Sequence, residues 1–217
     1  NITGQSFGGL MASGLLNVVG EHMNGLQMAG IANITASKLN GVQIALCNYA
    51  TQARGLQIGL VNYYKEDMKG FQLGLVNANP DTRVQMMVYG GNATPANIGV
   101  RFKNQLFYTI LGIGSMYQGL NDKFSASASY RAGLSFTLYK GLSISGDLGY
   151  QHIEAFDNKD EVIPKRLYAL QARANLEYQF TRKFGIFATG GYGLTRFYNK
   201  SSNYDKGAII EAGIVLF

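Results

Sequence analysis

Few side chains in this 217-residue sequence are spaced for chemistry. The two histidines, His22 and His152, stand far apart, and the single cysteine, Cys47, allows neither an intrachain disulfide nor a thiolate cage, so no metal site is indicated. Ser145, Asp147 and His152 lie near enough in sequence to suggest a nucleophile, an acid and a base. Strand alternation, however, puts Ser145 and Asp147 on one face and His152 on the other, so no enzyme is expected and no cofactor is assigned. What remains is a set of charged residues with apolar or small neighbours: Arg101, Arg131, Asp147, Arg173, Glu177 and Glu211. Such residues could line a solute path or neutralise one another inside a wall, and mutual neutralisation is the stronger reading.

The elements that carry these charges alternate strictly. From Phe124 to Leu138 every even position is apolar, while the odd positions hold Ser, Gly, Thr and Arg131. The same parity sorts Leu142 to Tyr150 against Asp147, and Tyr168 to Phe180 against Gln171, Arg173, Asn175, Glu177 and Gln179. It also sorts Ala208 to Leu216 against Glu211. No charge falls mid-strand on the apolar face, as hydrocarbon would demand, because an outward Arg or Lys at a bilayer midplane costs about 2 to 4 kcal/mol. Turns of three residues at Tyr139–Gly141 and Thr181–Lys183 would set Asp147 diagonal to Arg131 and Gly191 opposite Arg173. Gly191 and Gly193 would then leave room for Arg173 to reach Glu211. Longer polar connections at 154–165 and 199–206 give the short-turn, long-loop asymmetry of a membrane barrel. The last residue given, Phe217, resembles the terminal aromatic of such barrels, although by strict alternation it shares the Glu211 face.

The first eighty residues are organised differently. A unit recurs about every fifteen residues, at Gly25-Leu-Gln-Met, Gly41-Val-Gln-Ile, Gly55-Leu-Gln-Ile and Gly70-Phe-Gln-Leu, with a looser copy at Gly9-Leu-Met-Ala. Each copy closes on an asparagine, at Asn17, Asn33, Asn48, Asn62 and Asn77. Within Gly55–Asn62, alternation would point Leu56, Ile58 and Leu60 one way and Gly55, Gln57, Gly59 and Val61 the other. Gln27, Gln43, Gln57 and Gln72 look like a ladder, but in an antiparallel sheet successive copies would sit near opposite ends. A repeat this short could instead wind a parallel solenoid, one coil per unit. That reading is set second, because it would bury Leu and Ile, leave Gln and Gly to water, and account for the first half alone. These units resemble the surface-repeat outer-membrane proteins of Bacteroidota and spirochaetes, whose arrays read Gly-Leu-Gln-Ile-Ala-Gly-Leu-Val-Asn. The resemblance implies a location rather than an activity.

Composition is compatible with this picture. No stretch approaches the roughly 18 apolar residues of a membrane helix, yet a mean hydropathy of -0.02 suits a barrel whose apolar and polar residues alternate. The 28 Gly, 14 Tyr and 12 Phe favour turns, strands and interfacial girdles. The net charge of +6 is scattered rather than clustered, so nucleic acid is not an expected partner. The expected fold is therefore all-β, one transmembrane antiparallel up-and-down barrel over residues 1–217. It would have about 14 strands, with 12 to 16 allowed by the even-number rule, one of them expected before residue 1. The expected location is a bacterial outer membrane, with membrane lipid, lipopolysaccharide and other outer-membrane proteins as candidate partners. The expected role is a pore-like or accessory transport barrel with a mixed-charge lumen. The alternative is a non-conducting scaffold in a larger outer-membrane complex.

Overall fold

Identical residues recurring every 14 to 16 positions can stack only if successive strands run the same way, and in the first part of the chain they do. The computed structural model describes residues 1–115, 124–156, 166–198 and 203–217. These divide into two units, Asn1–Thr82 and Arg83–Phe217.

The first unit contains β1 (Ile2–Thr3), β2 (Phe7–Ser13), β3 (Leu16–Val19), β4 (His22–Ala29), β5 (Ala32–Ile44), β6 (Cys47–Ile58), β7 (Val61–Leu73) and β8 (Val76–Ala78). Every pairing recorded in it is parallel and in repeat register: Gly9, Gly25, Gly41, Gly55 and Gly70 align, as do Asn17, Asn33, Asn48, Asn62 and Asn77. The repeats therefore wind as a parallel solenoid, the architecture placed second from sequence. The polarity is inverted relative to that reading. Asn17, Gln27, Asn33, Gln43, Gln57 and Asn62 are fully buried, while Leu10, Ile31, Leu46 and Leu60 face out. The chain bends at Gly59–Leu60, so Val61 lies outside and Asn62 inside, and the eight-residue alternation read across that point does not hold. A small apolar cluster, including Met23, Leu39, Ala50 and Ala53, fills the rest of the interior.

The glycine row is fixed by close stacking. At Gly55, φ is +131°, and an added Cβ would stand 2.0 Å from the carbonyl oxygen of Gly41. Only a residue with no side chain can hold that backbone conformation at that distance.

The second unit is formed by β9 (Arg83–Gly91), β10 (Ala96–Asn104), β11 (Phe107–Ser115), β12 (Ser125–Tyr139), β13 (Leu142–Ala155), β14 (Arg166–Thr181), β15 (Phe184–Phe197) and β16 (Asn203–Leu216). Each strand pairs antiparallel with the next, and β16 returns to β9 through Glu211↔Gly91 to Leu216↔Met86, so the barrel closes with eight strands. A single fourteen-stranded barrel over 1–217 is thus corrected to an eight-stranded barrel over the second unit and a parallel solenoid over the first. The count went wrong because repeat strands and hairpin strands were pooled, and alternation alone does not distinguish parallel from antiparallel neighbours.

Strand parity in the barrel is as the pattern requires, with Leu134, Leu148, Leu170, Leu176 and Ile210 outward and Arg131, Asp147, Gln171, Arg173 and Glu211 buried inside. The hairpins close with two residues, 140–141 and 182–183, each beside a register shift, rather than with three. Gly141, at φ +78°, supplies the left-handed residue that such a bulged turn uses. The connections 105–106, 140–141 and 182–183 lie at the same end as Arg83 and Leu216. The loops read at 154–165 and 199–206 lie largely outside the described residues, although β13 extends to Ala155 and β16 begins at Asn203. Phe217 follows β16, where its backbone N–H donates to the carbonyl oxygen of Lys183 at 3.2 Å.

Candidate functional site

An eight-stranded barrel leaves an interior just wide enough for side chains to fill, and the charged residues singled out from sequence meet there. Arg131 on β12 is 1% exposed, and its Nε and Nη2 donate to Asp147 of β13 at 2.8 and 2.9 Å. Asp147 is also bound by the Tyr108 hydroxyl at 2.7 Å and by Asn175 Nδ2 at 2.8 Å. The diagonal relation follows from the register, in which Arg131 faces Gly149 and Gly133 faces Asp147.

Arg173 of β14 stands opposite Gly191 and reaches Glu211 of β16, with Nε to Oε2 and Nη2 to Oε1 both at 3.2 Å. Arg131 Nη1 lies 3.7 Å from the same Oε2, so Glu211 is shared by two guanidinium groups. Arg101 of β10 makes the tightest pair, with Nη1 and Nη2 on the Glu177 carboxylate at 2.6 and 3.0 Å and Nε on Gln85 at 2.6 Å.

Ring geometry gives this layer its meaning. β14 is four strands from β10, and β16 is four strands from β12, in a ring of eight, so Arg101–Glu177 and Arg131–Glu211 join opposite walls. Three guanidinium groups and three carboxylates balance within the layer, and a bidentate Arg–carboxylate fork adds directionality to the charge attraction. The cavity left among Arg101, Tyr108, Arg131 and Glu177 is about 10 Å³, room for at most about one water. Tyr89, Tyr108, Phe187, Ile110 and Val215 pack against the layer, and Arg131 Cζ lies 5.8 Å from the Tyr89 ring centre. Toward the longer connections, Ile153, Leu167 and Ala169 are buried together.

Sequence parity placed all six charged residues inside. Asn175 was placed on the same face but not joined to Asp147, and Gln85, Tyr108 and Thr189, whose Oγ1 donates to Asn175 at 2.6 Å, were missed. Their signal was the same inward parity, but uncharged residues were not followed across strands. The hydrolytic arrangement is not assembled: Ser145 bonds Asn175 inside the barrel, whereas His152 contacts Tyr198 at 2.9 Å and Glu154 at 3.3 Å on the other face. His22 lies exposed on the repeat unit.

The repeat unit has a comparable polar interior. Asn1, Asn17, Asn33, Asn48 and Asn62 each donate a side-chain amide N–H to the asparagine of the following coil at 2.9 to 3.1 Å. Gln43, Gln57 and Gln72 donate to the glutamine of the preceding coil at 2.8 to 2.9 Å. The two ladders run in opposite senses, so their amide dipoles oppose one another. The asparagines also bond turn carbonyls, as Asn48 does with Ile58 at 2.8 Å, which satisfies backbone groups inside the coil.

Closed antiparallel strands with an apolar exterior and a polar, ion-paired interior are the architecture of a transmembrane β-barrel. No family model matches the sequence, and no curated protein matches it. Among solved structures, the chain is similar to the N-terminal β-barrel domain of Pseudomonas aeruginosa OprF. That match has a TM-score of 0.43 and 17% identity, and covers 61% of this chain and 93% of that one. It is also similar to Neisserial surface protein A, with a TM-score of 0.40 and 9% identity, over 61% of this chain and 92% of the other. For the outer membrane protein Ail of Yersinia pestis the TM-score is 0.37 and the identity 16%, over 62% and 99%.

Proposed function

We propose that this chain is an integral outer-membrane protein whose barrel anchors it in the bilayer and does not conduct. The reading as a non-conducting scaffold or accessory subunit is favoured over the pore-like one. The observation that carries it is the cross-lumen layer, in which ion pairs join opposite walls and leave about 10 Å³ between them. A hydrated ion would have to break forked Arg–carboxylate pairs to pass.

The outward rows support the bilayer location. Mid-strand positions such as Leu148, Leu170 and Ile210 are at least half exposed, a surface that water would penalise and lipid would not. Membrane lipid and lipopolysaccharide are the surroundings this exterior fits, and other outer-membrane proteins are the partners a scaffold would hold.

Single-channel recording of the purified, folded protein in a planar bilayer tests the proposal. A flat trace is expected. Reproducible unitary steps would reverse the assignment in favour of a pore and make Arg101 and Arg131 the gate to mutate.

A further inference from the structure

The repeat unit is turned inside out for a protein in water. Apolar side chains are driven from water into the interior, yet here amide ladders share the interior with one small apolar cluster and three outward rows are apolar. One row is Leu10, Leu26, Val42, Leu56 and Phe71; a second is Ala12, Met28, Ile44, Ile58 and Leu73. The third follows the turn through Leu15, Ile31, Leu46, Leu60 and Leu75, aligned by backbone hydrogen bonds from coil to coil. Phe71 is 75% exposed and Leu15 66%.

No Asp, Glu, Lys or Arg interrupts these rows, nor the next two, which run through Cys47 and Val61 and through Tyr49 and Tyr63. Charge is confined to the remaining arc of each coil, at Glu21, Lys38, Arg54 and the segment 65–69. At the border between the arcs, Tyr49 stacks on Tyr63 with ring centres 5.8 Å apart and planes 8° from parallel. An apolar arc, a tyrosine border and a charged arc make the sequence of surfaces that a bilayer presents as hydrocarbon, interface and water. Between adjacent coils the inward amides bond one another and the strands pair in register, which keeps those polar groups from needing water, while β2 and most of β7 each present one edge without a strand partner among the described residues.

We infer that the apolar arc of the repeat unit lies against the hydrocarbon of the bilayer, making this unit a second lipid-embedded element in addition to the spanning barrel. The inference rests on the barrel reading above, because residues 79–82 are all that join β8 to β9 and so tie the unit to a membrane protein.

The chain has no Trp, so single Trp residues report position in the full-length protein. Leu60→Trp probes the apolar arc, Lys65→Trp the charged arc and Leu148→Trp the barrel exterior. Each is reconstituted in vesicles with and without lipids brominated along the acyl chains. The expected result is loss of Leu60→Trp fluorescence to the same extent as Leu148→Trp, with Lys65→Trp unaffected. If Leu148→Trp is quenched and Leu60→Trp is not, the inference fails while the barrel reading stands. Blue-shifted emission would then mean that a second copy or another protein covers the arc, and red-shifted emission that water does. If Leu148→Trp is itself unquenched, the barrel reading fails first.

A label on the native Cys47, exposed within the apolar rows, tests the same point without substitution. A nitroxide there should collide more with oxygen than with a water-soluble nickel chelate. The reverse preference would overturn the inference.

Discussion

At the scale of single residues, Arg131 carries the most consequence. Its guanidinium is completely enclosed, its partners are Asp147, Asn175 and the shared Glu211, and each would be left without it in a site that water barely enters. Removing one partner of a buried pair costs about 3 to 5 kcal/mol. Arg131→Ala should fall at the lower end of that range, since Asp147 keeps the Tyr108 hydroxyl and Asn175. Equilibrium unfolding in urea, with the barrel reconstituted in vesicles, measures this. A variant as stable as the parent would mean that the layer is not load-sharing. The double variant Arg131→Met, Asp147→Leu should recover only part of the loss, because it leaves Tyr108 and Asn175 without their acceptor. Much of this site was legible before the fold was known. The Arg131–Asp147 diagonal and the Arg173–Gly191–Glu211 arrangement follow from register between adjacent strands or across one glycine-rich strand. The Arg101–Glu177 fork was not legible, because pairing rules reach only neighbours, and these residues become partners through closure of the ring at β16 and β9.

At the scale of elements, the same two-residue period has two meanings in this chain. In β12 to β16 alternation separates outside from lumen. In β5 to β7 it separates outside from a coil interior, and the outward residues are again the apolar ones. What distinguishes the two is the partner: an asparagine or glutamine amide gains from an identical neighbour when copies stack in parallel register, since each both donates and accepts. Six asparagines spaced 14 to 16 residues apart therefore pointed to parallel coils. The sequence reading passed over that signal by assigning the interior of a solenoid to Leu and Ile. The outward surface of the barrel yields its own test. Leu148 lies mid-strand on β13 and is 71% exposed, so in water its replacement by arginine would change stability by no more than about 0.5 kcal/mol. Against hydrocarbon the same change should cost about 2 to 4 kcal/mol. Leu148→Arg, unfolded in vesicles beside the parent, distinguishes the two, and a near-zero difference would remove the membrane assignment for that wall.

At the scale of the whole molecule, two kinds of sheet share one chain. No described strand of Asn1–Thr82 pairs with one of Arg83–Phe217, so neither hydrogen-bond ladder can propagate order into the other. Each unit also has its own polar interior, the solenoid with amide ladders and the barrel with crossed ion pairs. Such units are expected to unfold as separate cooperative blocks. Gly55→Ala is the selective probe, because its Cβ would meet the Gly41 carbonyl oxygen at 2.0 Å and its φ of +131° is one that alanine avoids. In hydrogen exchange of the full-length protein, this variant should speed exchange across β5 to β7 and leave β9 to β16 as protected as before. Arg131→Ala should do the reverse. If either substitution loosens both regions together, the halves share one cooperative transition, and the solenoid would have to be counted as part of what holds the barrel shut.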